Sequence, residues 1–280
     1  MVIAGCAGTA LAATALPAGA SGTSSAAVGH YAALGDSFSS GPGIPTQTDP
    51  VCGRSDHNYP TLLASALASA SSTDVTCAGA ETKHITQAQD AAGPQIDAVR
   101  PDSAVVTVGV GGNDLDLAGI IKRCVLLASL NPQGSPCKKS YSLLGTDEIG
   151  SRINTTGPKV AAVLRAVRGK APQARTFLVG YPALVPDDGS ACRSTVPLAA
   201  GDFPWLRDKT RQLNSVLAQQ AAVTGATFVD TYTPSMGHDA CKPAGTRWIE
   251  PTDTAAAAGF HPNAAHHRST AAALTALLTN

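Results

Sequence analysis

The chain has 280 residues, and its 20 Lys+Arg balance its 20 Asp+Glu, so the formal net charge is zero. That excludes the basic footprint with which a protein neutralises nucleic-acid phosphates, and no nucleic-acid partner is expected. Hydrophobic residues make up 44% and charged residues 14%, against about 25% charged in ordinary soluble proteins, so the chain has ample apolar surface to bury and is not disordered. In chain order, the first feature is an uncharged segment of small apolar residues ending in Ala18-Gly19-Ala20. This ending fits the small-x-small cleavage site of a secretory signal peptide over residues 1–20. No basic residue precedes it, so either the true translation start lies upstream or the signal is atypical. Gly5, Gly8, Pro17 and Gly19 interrupt it, whereas a membrane span needs roughly 20 strongly apolar residues; no stable span is expected. Ile3-Ala4-Gly5-Cys6 offers an alternative, a lipoprotein acylation box, which would need a hydrophobic region further upstream.

Residues 21–29 read as a flexible linker and 30–280 as a single domain. Tyr31–Leu34, ending at Gly35, is a first strand. Asn58 caps a helix with Pro60 in its first turn and Leu62, Leu63 and Leu67 behind it. Asp74–Thr76 is a second strand. Ala104–Val108, β-branched and uncharged, is the clearest buried strand. Val160, Val163, Leu164 and Val167 have i, i+3, i+4, i+7 spacing, which predicts a helix begun by Pro158 and ended by Gly169. Thr176–Val179 is a fourth strand, Leu206–Ala222 a helix, Thr227–Val229 a fifth strand, and Pro262–Leu278 a closing helix. Alternation of strand and helix predicts an α/β fold, a parallel sheet covered on both faces, with sites beyond the carboxyl ends of its strands. The long irregular stretches Tyr181–Pro204 and Thr231–Phe260 follow the fourth and fifth strands, where loops of that length are usually functional.

Seven cysteines are an odd number. Removal of a signal peptide takes Cys6 and leaves Cys52, Cys77, Cys124, Cys137, Cys192 and Cys241. No pair is spaced C-x-x-C, which argues against a zinc ribbon or a redox motif. An exported chain with an even count favours disulfides, and pairing neighbours in sequence is the simplest of the connectivities open.

Several motifs fail their tests. Gly109-Val110-Gly111-Gly112-Asn113-Asp114 puts an aspartate where a dinucleotide site needs its third glycine. Gly35-Asp36-Ser37-Phe38-Ser39 lacks the second glycine of the G-x-S-x-G elbow. No histidine pair has helical metal-ligand spacing, and the adjacent His266 and His267 diverge on a helix. Three elements remain. Ser37 sits where the first strand hands over to the next segment, and unpaired N–H groups at a helix start would favour an alkoxide and oxyanion there. Gly111-Gly112-Asn113 follows the third strand, and its amide can donate to an oxyanion. His261 precedes Pro262 at a helix start, and its imidazole can take a serine proton near neutrality. Each element alone is also an ordinary cap or turn.

Together, Tyr31–Gly41, Cys77–Gly79, Gly111–Asp114 and His261–Asn263 have the order and strand context of the SGNH (GDSL) hydrolases. The mature chain resembles the secreted actinobacterial lipase and esterase branch of that family, whose members carry three sequential disulfides. The resemblance implies a three-layer α/β/α, flavodoxin-like fold with a five-stranded parallel sheet. It implies Ser37 as nucleophile, with Ser37 N–H, Gly79 N–H and the Asn113 amide as oxyanion donors, and His261 as general base. Many members place an aspartate three residues before the histidine; here that position is Ala258. The Gly259 carbonyl is then expected to orient His261 in a dyad, unless Asp253 folds back to restore a triad. The implied function is an exported ester hydrolase, a monomer that needs no cofactor or metal and acts on small-molecule or lipid esters. Two alternatives stand beside it: a carbohydrate acetyl-esterase, with Trp205, Trp248 and Tyr232 as sugar platforms, and a non-catalytic cell-wall binding module.

Overall fold

The protein is described by a computed structural model that covers residues 1–5 and 29–279. The expected cleavage site at Ala18-Gly19-Ala20, Cys6 and nearly all of the 21–29 linker lie outside the described residues. In chain order the elements are β1 (His30–Gly35), α1 (Ser37–Ser40), β2 (Gln47–Asp49), β3 (Arg54–Ser55), α2 (Tyr59–Ala66), β4 (Ser72–Asp74), β5 (Ser103–Gly109), α3 (Leu117–Ala128), α4 (Pro136–Ser140), α5 (Glu148–Lys170), β6 (Arg175–Val179), α6 (Asp202–Thr224), β7 (Thr227–Val229), α7 (Tyr232–Ser235) and α8 (Ala264–Thr279). Short 3₁₀ turns join several of them. β2 and β3 form a small antiparallel ribbon.

Five strands make one parallel sheet in the order β4-β1-β5-β6-β7. This is the flavodoxin-like order, in which the chain reverses direction across the sheet between β1 and β5. Alternation along β1 divides the core. Ala32 and Leu34 face the layer built from α3, α5 and α6, while Tyr31 and Ala33 face α2 and α8. Both faces are therefore covered, and the strands read as continuous apolar runs because neither face meets water.

Several boundaries depart from the sequence reading. Pro158 does not start α5 but lies inside it. The helix begins at Glu148, where the Asp147 side chain caps the Gly150 N–H at 3.0 Å. Ile149 and Ile153 extend the apolar face upstream of Val160 and are fully buried, and that burial outweighs the one hydrogen bond the proline removes. The second strand is Ser72–Asp74 rather than Asp74–Thr76, although the ladder continues, with Val75 N–H on the Ala33 carbonyl and Cys77 N–H on the Gly35 carbonyl, both at 3.0 Å. α6 starts at Asp202, earlier than Leu206, and α3 had no counterpart in the sequence reading.

Disulfides link Cys52–Cys77, Cys124–Cys137 and Cys192–Cys241 across sequence separations of 25, 13 and 49 residues. Loops of these sizes imply about 3–4 kcal/mol each in the chain-entropy account. All three brace segments that follow strand ends. There β1 and β5 stay paired to their last residues. Asp36 N–H donates to the Gly109 carbonyl at 2.8 Å, and Ser39 packs over both Gly35 and Gly109. A Cβ on Gly35 would lie 2.5 Å from Ser39 Oγ and 2.8 Å from the Gly109 carbonyl. Gly35→Ala is therefore expected to destabilise by about 1–3 kcal/mol through overpacking, read as a lower Tm. An unchanged Tm would show that the two strand ends have room to separate.

Candidate active site

Ser37 is the first residue of the short helix α1, and Asp36 is its N-cap, accepting from Phe38 N–H at 2.9 Å. The turn is held from below. Gln95, buried, donates to the Gly35 carbonyl at 3.0 Å and accepts from Gly35 N–H at 2.7 Å. Ser37 is only 7% exposed, yet it lines a cleft of about 540 Å³ together with Asn113 and His261.

His261 Nε2 lies 2.9 Å from Ser37 Oγ, and His261 Nδ1 lies 2.7 Å from the Gly259 carbonyl. The carbonyl can only accept, so Nδ1 carries the proton and Nε2 faces the serine hydroxyl as acceptor. Asp253 does not reach the imidazole. Its Oδ1 accepts from Gly259 N–H at 2.8 Å, so it steadies the peptide that holds the histidine. Phe260 adopts a left-handed backbone, φ 55°, which is costly for a bulky residue. Neighbouring bonds fix it: Phe260 N–H to the Glu250 carbonyl at 2.6 Å, and Glu250 N–H to the His261 carbonyl at 3.0 Å. Burial lowers the His261 pKa below its ordinary value of 6.5, with the Gly259 carbonyl and the Asp253 charge opposing.

Asn113 follows Gly111 and Gly112 beyond β5. One amide hydrogen is used, Nδ2 donating to the Ala80 carbonyl at 3.0 Å, which leaves the other for the cleft. Gly79, with φ 80°, precedes Ala80. It sits in the loop that Cys52–Cys77 staples and does not itself line the cleft. Among the described residues no partner pairs with its N–H or with that of Ser37. Asp114 joins the two loops, accepting from Thr82 N–H at 2.9 Å and Thr82 Oγ1 at 2.6 Å.

Sequence reasoning missed Tyr181. Its hydroxyl donates to Asp36 Oδ2 at 2.6 Å and accepts from Gly112 N–H at 2.7 Å. It thereby ties the Ser37 turn to the Asn113 turn. Burial pushes Asp36 up to about 7, against the bonds from Tyr181 and Phe38. Tyr181 belongs to no motif; its one signal was its place just past Gly180 at the end of the predicted fourth strand. Gln95 carried no signal at all.

The family's sequence pattern, described as GDSL-like Lipase/Acylhydrolase, matches residues 33–268. The chain belongs to this family. This GDSL-like chain is 42% identical over 228 residues to Lipase 2 of Streptomyces coelicolor, an alignment covering 79% of this chain and 76% of that protein. Among solved structures it is similar to a phospholipase A1 from Streptomyces albidoflavus, with TM-score 0.69, 27% identity, and coverage of 91% of this chain and 100% of that one. It is also similar to an extracellular lipase from Streptomyces rimosus, with TM-score 0.68, 25% identity, and coverage of 90% and 100%.

The cleft walls of this GDSL-like hydrolase are mainly apolar, including Leu117, Ile121, Val125, Pro197 and Phe260, with Lys122 and Asp253 as the charged residues. Trp205, Trp248 and Tyr232 lie elsewhere: Trp205 stacks on Tyr141, Trp248 on His238, and none lines the cleft. Among the described residues no helix is long and apolar enough to cross a membrane. Because burial depresses His261, its imidazole resonances should titrate in the folded protein with a midpoint below 6.5, measured by NMR across pH. A midpoint at or above the ordinary value would mean that the Gly259 carbonyl and the Asp253 charge together outweigh burial.

Proposed function

We propose that the protein is an exported serine carboxylic ester hydrolase, a lipase or esterase working through an acyl-enzyme on Ser37. The observation that carries this reading is the 2.9 Å contact between Ser37 Oγ and His261 Nε2 at the floor of an apolar cleft. In the first half-reaction Ser37 Oγ attacks the ester carbonyl and its proton passes to His261 Nε2. The carbonyl oxygen becomes an oxyanion, stabilised by Ser37 N–H, Gly79 N–H and the free hydrogen of the Asn113 amide. The tetrahedral centre collapses, the C–O bond to the alcohol breaks, and the alcohol leaves with the proton from Nε2. Water then attacks the acyl-enzyme, giving its proton to Nε2. The acid departs and Ser37 recovers its hydrogen.

The Gly259 carbonyl orients His261 through Nδ1–H and stabilises the imidazolium as a dipole rather than as a full charge. The apolar cleft walls favour acyl chains. None of the three candidate aromatic platforms lines the cleft, which supports an acyl over a carbohydrate substrate. The identity to Lipase 2 and the likeness to the extracellular lipase support an exported ester hydrolase; choice among triacylglycerol, phospholipid and simple esters is a matter for the substrate panel below.

Ser37→Ala should abolish hydrolysis of p-nitrophenyl butyrate and labelling by a fluorophosphonate, with an unchanged circular dichroism spectrum. Retained turnover on any member of a panel of short esters, long esters and phospholipid would refute this site. Asp253→Asn keeps an acceptor for Gly259 N–H, so kcat should fall by less than about tenfold, whereas loss of a true triad carboxylate costs about 10⁴-fold. A fall of that larger size would replace the dyad with a triad.

A further inference from the structure

Helix α3 forms one wall of the cleft, and its outer face continues past the cleft mouth. Ala118 and Lys122 line the cleft. Four residues after Lys122 on the same helical stripe comes Leu126, and in the turn just past the end of the helix comes Leu130; they are 73% and 76% exposed. Leu144, in the loop after α4, is also fully exposed. Exposed leucines gathered on one short segment are unusual on a surface that meets only water.

The same segment is charged in one sense. Residues 117–146 contain Lys122, Arg123, Lys138 and Lys139 and no Asp or Glu, in a chain whose net charge is zero. Two carboxylates bond to this segment's backbone: Asp202, fully buried, accepts from the Cys137 and Lys138 N–H groups, and Asp116 caps the start of α3 at Gly119 N–H, the end of the helix away from Leu126. Cys124–Cys137 fastens α3 to α4, so leucines and cations sit on one rigid unit.

We propose that this unit docks the protein on an anionic lipid surface, with Leu126 and Leu130 entering the acyl boundary and the lysines facing the headgroups. Apolar area plus basic charge is the combination by which a helix face binds anionic bilayers. The cleft opens along the same helix, so docking presents Ser37 and His261 toward the interface. The proposal extends the ester-hydrolase reading to the physical state of its substrate. Its binding arm does not depend on catalysis.

The test compares Ser37→Ala protein with the same protein carrying Leu126→Asp and Leu130→Asp, by co-sedimentation with phosphatidylglycerol and phosphatidylcholine vesicles. The Ser37→Ala protein should bind phosphatidylglycerol vesicles and release them in high salt, and the two aspartates should weaken binding by at least about tenfold. On the active background, the Leu126→Asp/Leu130→Asp variant should hydrolyse dissolved p-nitrophenyl butyrate at the parent rate and lose turnover on vesicles or emulsions. Equal binding by both proteins, equal binding to both lipids, or no binding to phosphatidylglycerol would overturn the proposal. So would vesicle-independent self-association abolished by the same substitutions, which would assign the stripe to a second copy. Failure of Ser37 to matter for butyrate hydrolysis would sink the ester reading while leaving the docking result intact.

Discussion

One buried carboxyl group holds this site together. Asp36 caps the helix that begins at Ser37 and, through the Tyr181 hydroxyl, reaches Gly112 on the neighbouring turn. The two turns rise from β1 and β5, the strands between which the sheet order reverses. Chain segments that leave two paired strands at such a point toward opposite faces of the sheet open a crevice between them, and something polar has to span it. A polar group removed from water has to find partners, and here each oxygen of Asp36 accepts a hydrogen bond, although burial still pushes its pKa up to about 7. Removing Tyr181 would therefore disturb more than one hydrogen bond, because the members of a buried chain polarise and orient each other. Positions of Ser37, Gly112 and Asn113 all follow from this bridge.

The histidine is held by different means. Its segment carries no acid at the customary place, since Ala258 stands there, and the imidazole turns to the Gly259 carbonyl. A carbonyl presents the right acceptor geometry but less charge, so the loop's own rigidity has to supply the orientation. The left-handed Phe260 and the paired backbone of Glu250 and His261 do this. Asn263 adds to it by bonding Glu250 Oε1 at 2.9 Å and by capping α8 through Ala265 N–H at 3.0 Å. Helix start and catalytic loop are thus one construction.

Much of this could be seen in the residues alone, and the reasons differ by element. β5 was plain because β-branched residues fully buried on both faces leave an uninterrupted apolar run. Ser37, Asn113 and His261 were found because each lies just past a strand or just before a helix, and because their blocks occur together in order. α3 was not seen: its buried face is Ile120, Cys124 and Ala128, two of them small, while the bulky Leu126 points to solvent, so residue size does not mark the core side. Pro158 misled because a proline usually opens a helix, and only the depth at which Ile149 and Ile153 pack shows why this one does not. Tyr181 and Gln95 act through contacts across 145 and 60 residues of sequence, a distance over which local pattern carries no information.

The order of the disulfides has a consequence for biogenesis. Each bridge joins a cysteine to the next one along the chain, and no loop encloses or crosses another. A polypeptide threading N-terminus first into an oxidising compartment exposes its thiols one at a time. If each oxidises with the partner already waiting, the native connectivity results without any shuffling. For a chain delivered into such a compartment, this connectivity calls for an oxidant but not for an isomerase to reshuffle what the oxidant has joined.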